Sequence, residues 1–443
     1  MGDAGAGRRL TGSSGGPAAP GGPTLGAVTA SPPSRPADRA PGTLLLWTLL
    51  AAMGAGPVFN YAVSTSSTVI IERLGVTSGQ LGTVMTVVFA AAAVTSVGLG
   101  RAADRLSSRT QMAIIFFGSA LALAVGGFAG SLWALYGAAV LAGVTQTISN
   151  PTTNRIIRTS VPAERRIGWI GVKQSGVQAS QLFAGLFFPV AALGLGWTGA
   201  SLVAAALVGL LGVVALRAAP PLPGAPAAPP TTTPDAGRPR AGRARAPLPA
   251  TVWFFAGIAF LTGFGMQATN MYLPLFAVES LDQTLVIGGA AAATSGVIGV
   301  FSRIWWSRRM AAGHRPTTLL AGIALGAVVG VVVFLGADLL HAPALLWVGA
   351  AVHGLTVLGT NVVTNAGLMD AVPAHHLGRA SGVNAMGMYA GFACGPLVMG
   401  LMRDLTGDFR AGFLAVGVFY LLALAVVGLL RRHTDRQGAP RAA

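Results

Sequence analysis

Charge is what this sequence has least of. Only 9% of its 443 residues are charged, against about 25% in an ordinary soluble chain, while 53% are hydrophobic. So few charges cannot clothe a soluble surface, and the chain is read as a membrane protein. Cysteine occurs once, at Cys394, which excludes an intramolecular disulfide and any multi-cysteine metal site. Lysine also occurs once, at Lys173. The 13 acids all fall outside the long apolar runs, so paired intramembrane carboxylates for acid–base chemistry are missing. Neither a Walker sequence nor H-E-x-x-H occurs, so no ATP drive, enzyme activity, cofactor or metal is expected. Gly12-Ser13-Ser14-Gly15-Gly16 fits the hydrolase elbow, but in low-complexity sequence with no strand before it. Gly98–Ala103 and Gly263–Ala268 fit a dinucleotide pattern, but inside apolar segments, where glycine packing explains them.

What the chain has instead is apolar segments of spanning length, twelve of them. They lie near 43–69, 79–100, 111–130, 132–157, 165–191, 197–217, 250–277, 285–306, 316–337, 344–369, 378–402 and 411–430. The stretch Gly143–Ala179 recurs 211 positions later as Gly354–Ala390, with 12 of 37 positions identical and no gap. Asn150/Asn361, Thr153/Thr364, Asn154/Asn365 and Pro162/Pro373 are among the identities. A period this long is not a solenoid's; the protein has two related halves. The expected fold is all-α and integral to the membrane, with twelve transmembrane helices in two pseudo-symmetric six-helix bundles. Expected divisions are a disordered N-terminal tail (1–42), one bundle (43–217), a Pro/Arg-rich linker (218–249), the second bundle (250–430) and a tail (431–443).

The net charge of +16 would suggest nucleic acid on a soluble protein, but these arginines fill gaps between apolar segments. Alternate gaps hold Arg101, Arg105, Arg109, Arg155, Arg158, Arg165, Arg166, Arg303, Arg308, Arg309, Arg315 and Arg379, and the tail adds Arg431, Arg432 and Arg436. The other gaps hold only Arg73, Arg403 and Arg410, beside acids. By the positive-inside rule both termini and the linker are cytoplasmic, in a cell membrane, with no nucleic-acid partner.

The gap after the second segment reads Gly100-Arg-Ala-Ala-Asp104-Arg105-Leu-Ser-Ser-Arg109. It resembles the G-x-x-x-D-R-x-G-R-R signature of the major facilitator superfamily, with Ser107 in place of the second glycine. Together with the repeat and the segment count, it identifies residues 43–432 as similar to that superfamily. The resemblance implies alternating access, a conformational lock at Gly100, Asp104, Arg105 and Arg109, and a cavity lined by helices 1, 4, 7 and 10. Gly171-Val-Lys173-Gln174-Ser175-Gly176, with Pro162-Ala-Glu164-Arg165-Arg166, is similar to cyanate-permease-like and organic-anion carriers.

Lys173 lies ~10–16 Å deep in its segment, where an ammonium costs about 2.5–3.5 kcal/mol. With no acid nearby, a transported anion could supply the counter-charge; the alternative is snorkelling to the headgroups. Helix 4 carries Gln146, Asn150 and Asn154 on one face, and helix 5 carries Gln174, Gln178 and Gln181. Asn60, Tyr61 and Ser64 in helix 1, Gln267 and Asn270 in helix 7, and Asn361 and Asn365 in helix 10 complete the candidate substrate-binding set. Such groups either line a cavity or fasten helices by hydrogen bonds. His353, in helix 10, is either a proton carrier or an ordinary hydrogen-bonded histidine.

The expected function is secondary transport of a small organic anion, coupled to protons or a counter-solute, by a monomer. The alternatives are a proton-antiport exporter of drugs or metabolites and a non-transporting membrane sensor.

Overall fold

The computed structural model describes residues 42–220, 222, 248–373 and 376–438, without the side chains of 97–104, 167, 437 and 438. The expected N-terminal tail and nearly all of the linker lie outside the described residues. Within them, every regular element is helical.

The helices make twelve spans, several of them broken. In span 1, α1 (Thr43–Ala55) meets α2 (Pro57–Thr65) at 53°, and α3 (Ser67–Leu74) completes it. Pro57 brings no amide hydrogen to the break, and a β-carbon on Gly56 would lie 2.4 Å from Gln146 Cβ. Then come α4 (Ser78–Arg105), α5 (Ser108–Gly127) and α6 (Leu132–Ser160). Span 5 begins as α7 (Ala163–Gln174) and passes into α8 (Gly176–Ala218). At 43 residues, α8 would be ~65 Å long if straight, about twice the hydrocarbon core. Gly196 resolves this: at φ 68° and ψ 172° it divides α8 into spans 5 and 6 with no loop between them, a conformation glycine adopts without steric cost.

The second half repeats the plan with α9 (Ala250–Glu279), α10 (Leu285–Ala311) and α11 (Pro316–Leu339). Span 10 is α12 (Ala344–Leu355), a 3-10 turn at Val357–Gly359 and α13 (Thr360–Ala371). It is followed by α14 (Leu377–Thr406) and α15 (Arg410–Gly438), which continues beyond the apolar pattern. Ser107, Ser131 and Thr284 cap α5, α6 and α10 by accepting from backbone amides. Ser107 is the residue that departs from the motif glycine; capping accounts for it. Large apolar side chains such as Trp133 and Leu340 are exposed, as a lipid-facing surface requires.

We call the end carrying Thr43, Ala218, Ala250 and Gly438 the terminal face, and the opposite end the far face. The bundles are zipped together toward the far face. Ser64 Oγ donates to the carbonyls of Asn270 and Met271 at 2.7 and 2.8 Å. Tyr272 donates to Ser78 O at 2.6 Å, Thr86 to Ala393 O at 2.7 Å, and Gly79 N–H to Asp404 Oδ2 at 2.9 Å. A β-carbon on Gly185 would lie 2.4 Å from Gly289 O, so these backbones meet only because both residues are glycine. Toward the terminal face span 1 turns back into its own bundle. The far half of span 1, α2, packs on α9 while α1 packs within its own bundle. The structure is closed at the far face.

Candidate functional site

Lys173 is the penultimate residue of α7, just before the break at Ser175, and is completely buried. Its ammonium donates to Asn150 Oδ1 and Thr153 Oγ1, both at 2.8 Å. Neither acceptor is charged. The lysine does not snorkel; it stands one layer behind the surface, covered by Asn150, which is exposed. Asn150 Oδ1 also faces Asn154 Nδ2 at 3.4 Å and Gln174 Nε2 at 3.5 Å. Positions 150, 153 and 154 share one face of α6, so Lys173, Asn150, Asn154 and Gln174 form a single cluster on the α6–α7 wall.

The other half holds a related joint, without the charge and one helical turn along. Asn384, the repeat counterpart of Lys173, donates to Asn365 Oδ1 at 3.1 Å, and Asn365 is the counterpart of Asn154. The asparagines therefore fasten neighbouring helices in both halves. The ammonium is the addition.

Arg303 corrects the sequence reading, which counts it among loop arginines. It lies inside α10, half-buried, and donates through Nε to Leu358 O and through Nη1 to Gln174 O, both at 3.2 Å. Both carbonyls belong to helix breaks, Gln174 where α7 gives way to α8 and Leu358 in the 3-10 turn of span 10. Helix breaks free carbonyls from intrahelical bonding. Tyr61 lies within electrostatic reach of the guanidinium. A signal was available: Arg303 falls inside the apolar segment 285–306, five positions before Arg308.

The remaining candidates form separate sets rather than one cavity. Asn60 Nδ2 and Gln146 Oε1 pair between α2 and α6 at 3.5 Å. Asn270 Oδ1 meets His353 Nε2 at 3.0 Å and Gln181 Nε2 at 3.4 Å, all buried. His353 also borders a cavity of about 10 Å³ lined by Thr269, Phe334 and Tyr420, among others, about the space of one water. Gln178 is buried against α10, 3.1 Å from a β-carbon built on Gly299. Gln267 is buried and Asn361 half-buried. Of the expected lock, Arg105 and Arg109 are exposed at helix ends; the surroundings of Gly100 and the side chain of Asp104 are not among the described features.

The acids with described side chains stand at helix ends and loops. Glu72, Glu279, Asp282, Asp338, Asp404 and Asp408 are at the far face; Glu164, Asp370 and Asp435 are at the terminal face. Several pair there with arginines. Arg403 reaches Glu279 at 2.8 Å and Arg410 reaches Asp338 at 2.5 Å, a hydrogen bond that raises the Arg410 pKa. Among the described residues, no carboxylate pairs with Lys173 or Arg303.

A family model described as Major Facilitator Superfamily matches residues 44–340 and, in a second match, 305–443. The chain belongs to the Major Facilitator Superfamily. That family is one of multi-pass membrane transporters of small molecules. Two solved structures of a bacterial homolog of the human lysosomal transporter Spinster, inward-facing and either unoccupied or occupied, share its fold. Each has a TM-score of 0.69 at 16% identity, covering 90% of this chain and 99% of that one. The nucleoside transporter NupG gives 0.68 at 15%, covering 87% and 99%. These facilitators share the twelve-helix, two-bundle fold with the present chain.

Among curated relatives, the multi-drug resistance efflux pump PmrA of Streptococcus pneumoniae is 30% identical over 171 residues, 37% of this chain and 40% of that one. A D-galactonate transporter of Escherichia coli is 30% identical over 129 residues, 29% and 28% of the two chains. The chain thus spans two fifths or less of the length of these relatives.

Proposed function

We propose that this facilitator carries a small organic anion by alternating access, coupled to protons or to a counter-solute. The observation that carries the proposal is Lys173, a buried ammonium with only neutral partners, one layer behind the exposed Asn150. Two of its three N–H donors are engaged, so a donor and a full positive charge remain. Burying an unpaired charge costs several kcal/mol, roughly. An anion entering from the terminal face, recognised by Asn150, Asn154 and Gln174, would offset that cost. Asn60, Gln146, Gln178, Gln267 and Asn361 extend the polar wall, and His353 is the proton carrier through its contact with Asn270.

On this reading the arginine-rich terminal face is cytoplasmic, in the cell membrane. Residues 43–217 and 250–430 are the rocking units, joined by the linker. Gly100, Asp104, Arg105 and Arg109 form the lock between states, and the monomer is the working unit. The likeness to PmrA favours a second reading, proton-driven export of drugs or metabolites.

Uptake into proteoliposomes distinguishes them. Anion carriage gives saturable uptake, stimulated by a pH gradient and abolished in Lys173→Ala. Export gives lowered accumulation of cationic drugs and tolerates that change. A Lys173→Gln protein that moves organic anions with unchanged KM ends the anion reading.

A further inference from the structure

The two cations at the bundle seam belong to different bundles and meet at one residue. Gln174 approaches Asn150, the acceptor of the Lys173 ammonium, through its side-chain amide at 3.5 Å. Through its carbonyl it accepts from Arg303 of the opposite bundle at 3.2 Å. Arg303 spends two N–H groups on carbonyls, and a guanidinium has five. Three donors are left, on a half-buried side chain at the seam between the bundles. Two positive charges thus stand in a low-dielectric region, and every described acid lies at a helix end or in a loop. A single negative guest would balance only one of them.

We propose that Arg303 is a second anion ligand, supplied by the C-terminal bundle opposite Lys173, and that the cargo is dianionic, a dicarboxylate or a group of like charge. This rests on the anion reading above and sharpens it. A guest with two acidic groups engages one cation from each bundle. It therefore ties together the two bodies that must move against each other. A monoanion engages Lys173 alone and leaves the guanidinium on its carbonyls. Arg303 thereby sets specificity, since a fork of parallel donors matches a carboxylate better than an ammonium does.

The test is thermal stabilisation of the full chain in lipid nanodiscs, because a ligand bound to the folded state raises apparent stability. Dicarboxylates from malonate to adipate are each compared with the monocarboxylate of equal carbon number. The wild type should respond to at least one dicarboxylate at a concentration about tenfold or more below its partner, the worth of one charged hydrogen bond. Arg303→Gln should bring that ratio close to one and leave the monocarboxylate response in place, whereas Lys173→Gln should remove both responses. Arg303→Lys, which keeps the charge and spares the fold, should retain a reduced preference.

Equal wild-type responses to the paired probes, or an Arg303→Lys ratio identical to the wild type's, overturn the dianion proposal and leave the anion reading standing. Equal loss for both probes in Arg303→Gln shows that Arg303 merely clamps the two helix breaks, and likewise overturns it. No response to any acid in the series overturns both readings.

Discussion

Asp404→Ala should release the far face. Asp404 lies on α14, in the C-terminal bundle, and its Oδ2 accepts from Gly79 N–H at 2.9 Å in the first turn of α4, in the N-terminal bundle. The bond can exist only while the far face is shut, so its whole free energy counts toward that state. A hydrogen bond to a charged group is worth about 1.5–3 kcal/mol, and a carboxylate at a helix N-terminus about 0.3–1 kcal/mol. The two overlap, and Asp404 is exposed, so screening reduces their total to about 1–2 kcal/mol. That corresponds to a roughly 5- to 30-fold shift in the balance between closed and open states. The assay uses spin labels at Leu195→Cys and Leu340→Cys, one on each bundle near the far face, in a Cys394→Ser background. Both sites are exposed, at 60% and 72%, so labels fit without repacking. Asp404→Ala should give a new population at longer distance, and Asp404→Asn a smaller one, because its amide keeps a neutral acceptor. An unchanged distance distribution in the alanine variant would refute the latch.

Three further outcomes are expected. Gly289→Val would put a β-carbon 2.3 Å from Pro189 Cγ and 2.4 Å from Gly185 O; overpacking of this kind costs about 1–3 kcal/mol. The protein should fold with its far face held open and lose uptake while keeping ligand-induced stabilisation. Asn150→Leu should lower thermal stability by about 1–3 kcal/mol by leaving the buried ammonium with Thr153 as its one side-chain acceptor. Adding Lys173→Met should restore most of that loss, and a double-mutant cycle in unfolding midpoints measures the coupling. Tyr272→Phe should remove the bond to Ser78 O, worth about 1 kcal/mol, and shift the labels in the same direction as Asp404→Ala by a smaller amount.

Most of the architecture is legible in the amino-acid pattern because lipid imposes it. Apolar length announces the spans, and the Gly143–Ala179 repeat announces the two halves. The pattern does not announce how a span breaks. The division of α8 at Gly196 depends on a single left-handed residue, and glycine is common in this chain for packing reasons too. The polar stripe of α6 is also legible as one face, yet its use is not. Asn150 and Thr153 turn inward to a lysine on the next helix, a pairing between segments that no periodicity within one segment reveals. Arg303 was misplaced for a related reason. Counting arginines as markers of the membrane boundary assigns every one of them to a loop, and α10 simply continues through this one to Ala311. The near-contact of Gly185 with Gly289 was hidden as well, since neither position differs in sequence from a glycine that touches nothing.

The related joints at Lys173 and Asn384 have a mechanical corollary. A machine built from two copies of one part has no inherent handedness: either half could hold the passenger while the other swings. An amine in one copy where the other keeps an amide ends that equivalence: on the anion reading the passenger's first grip lies in the first half, and the second half closes over it with a cation of its own.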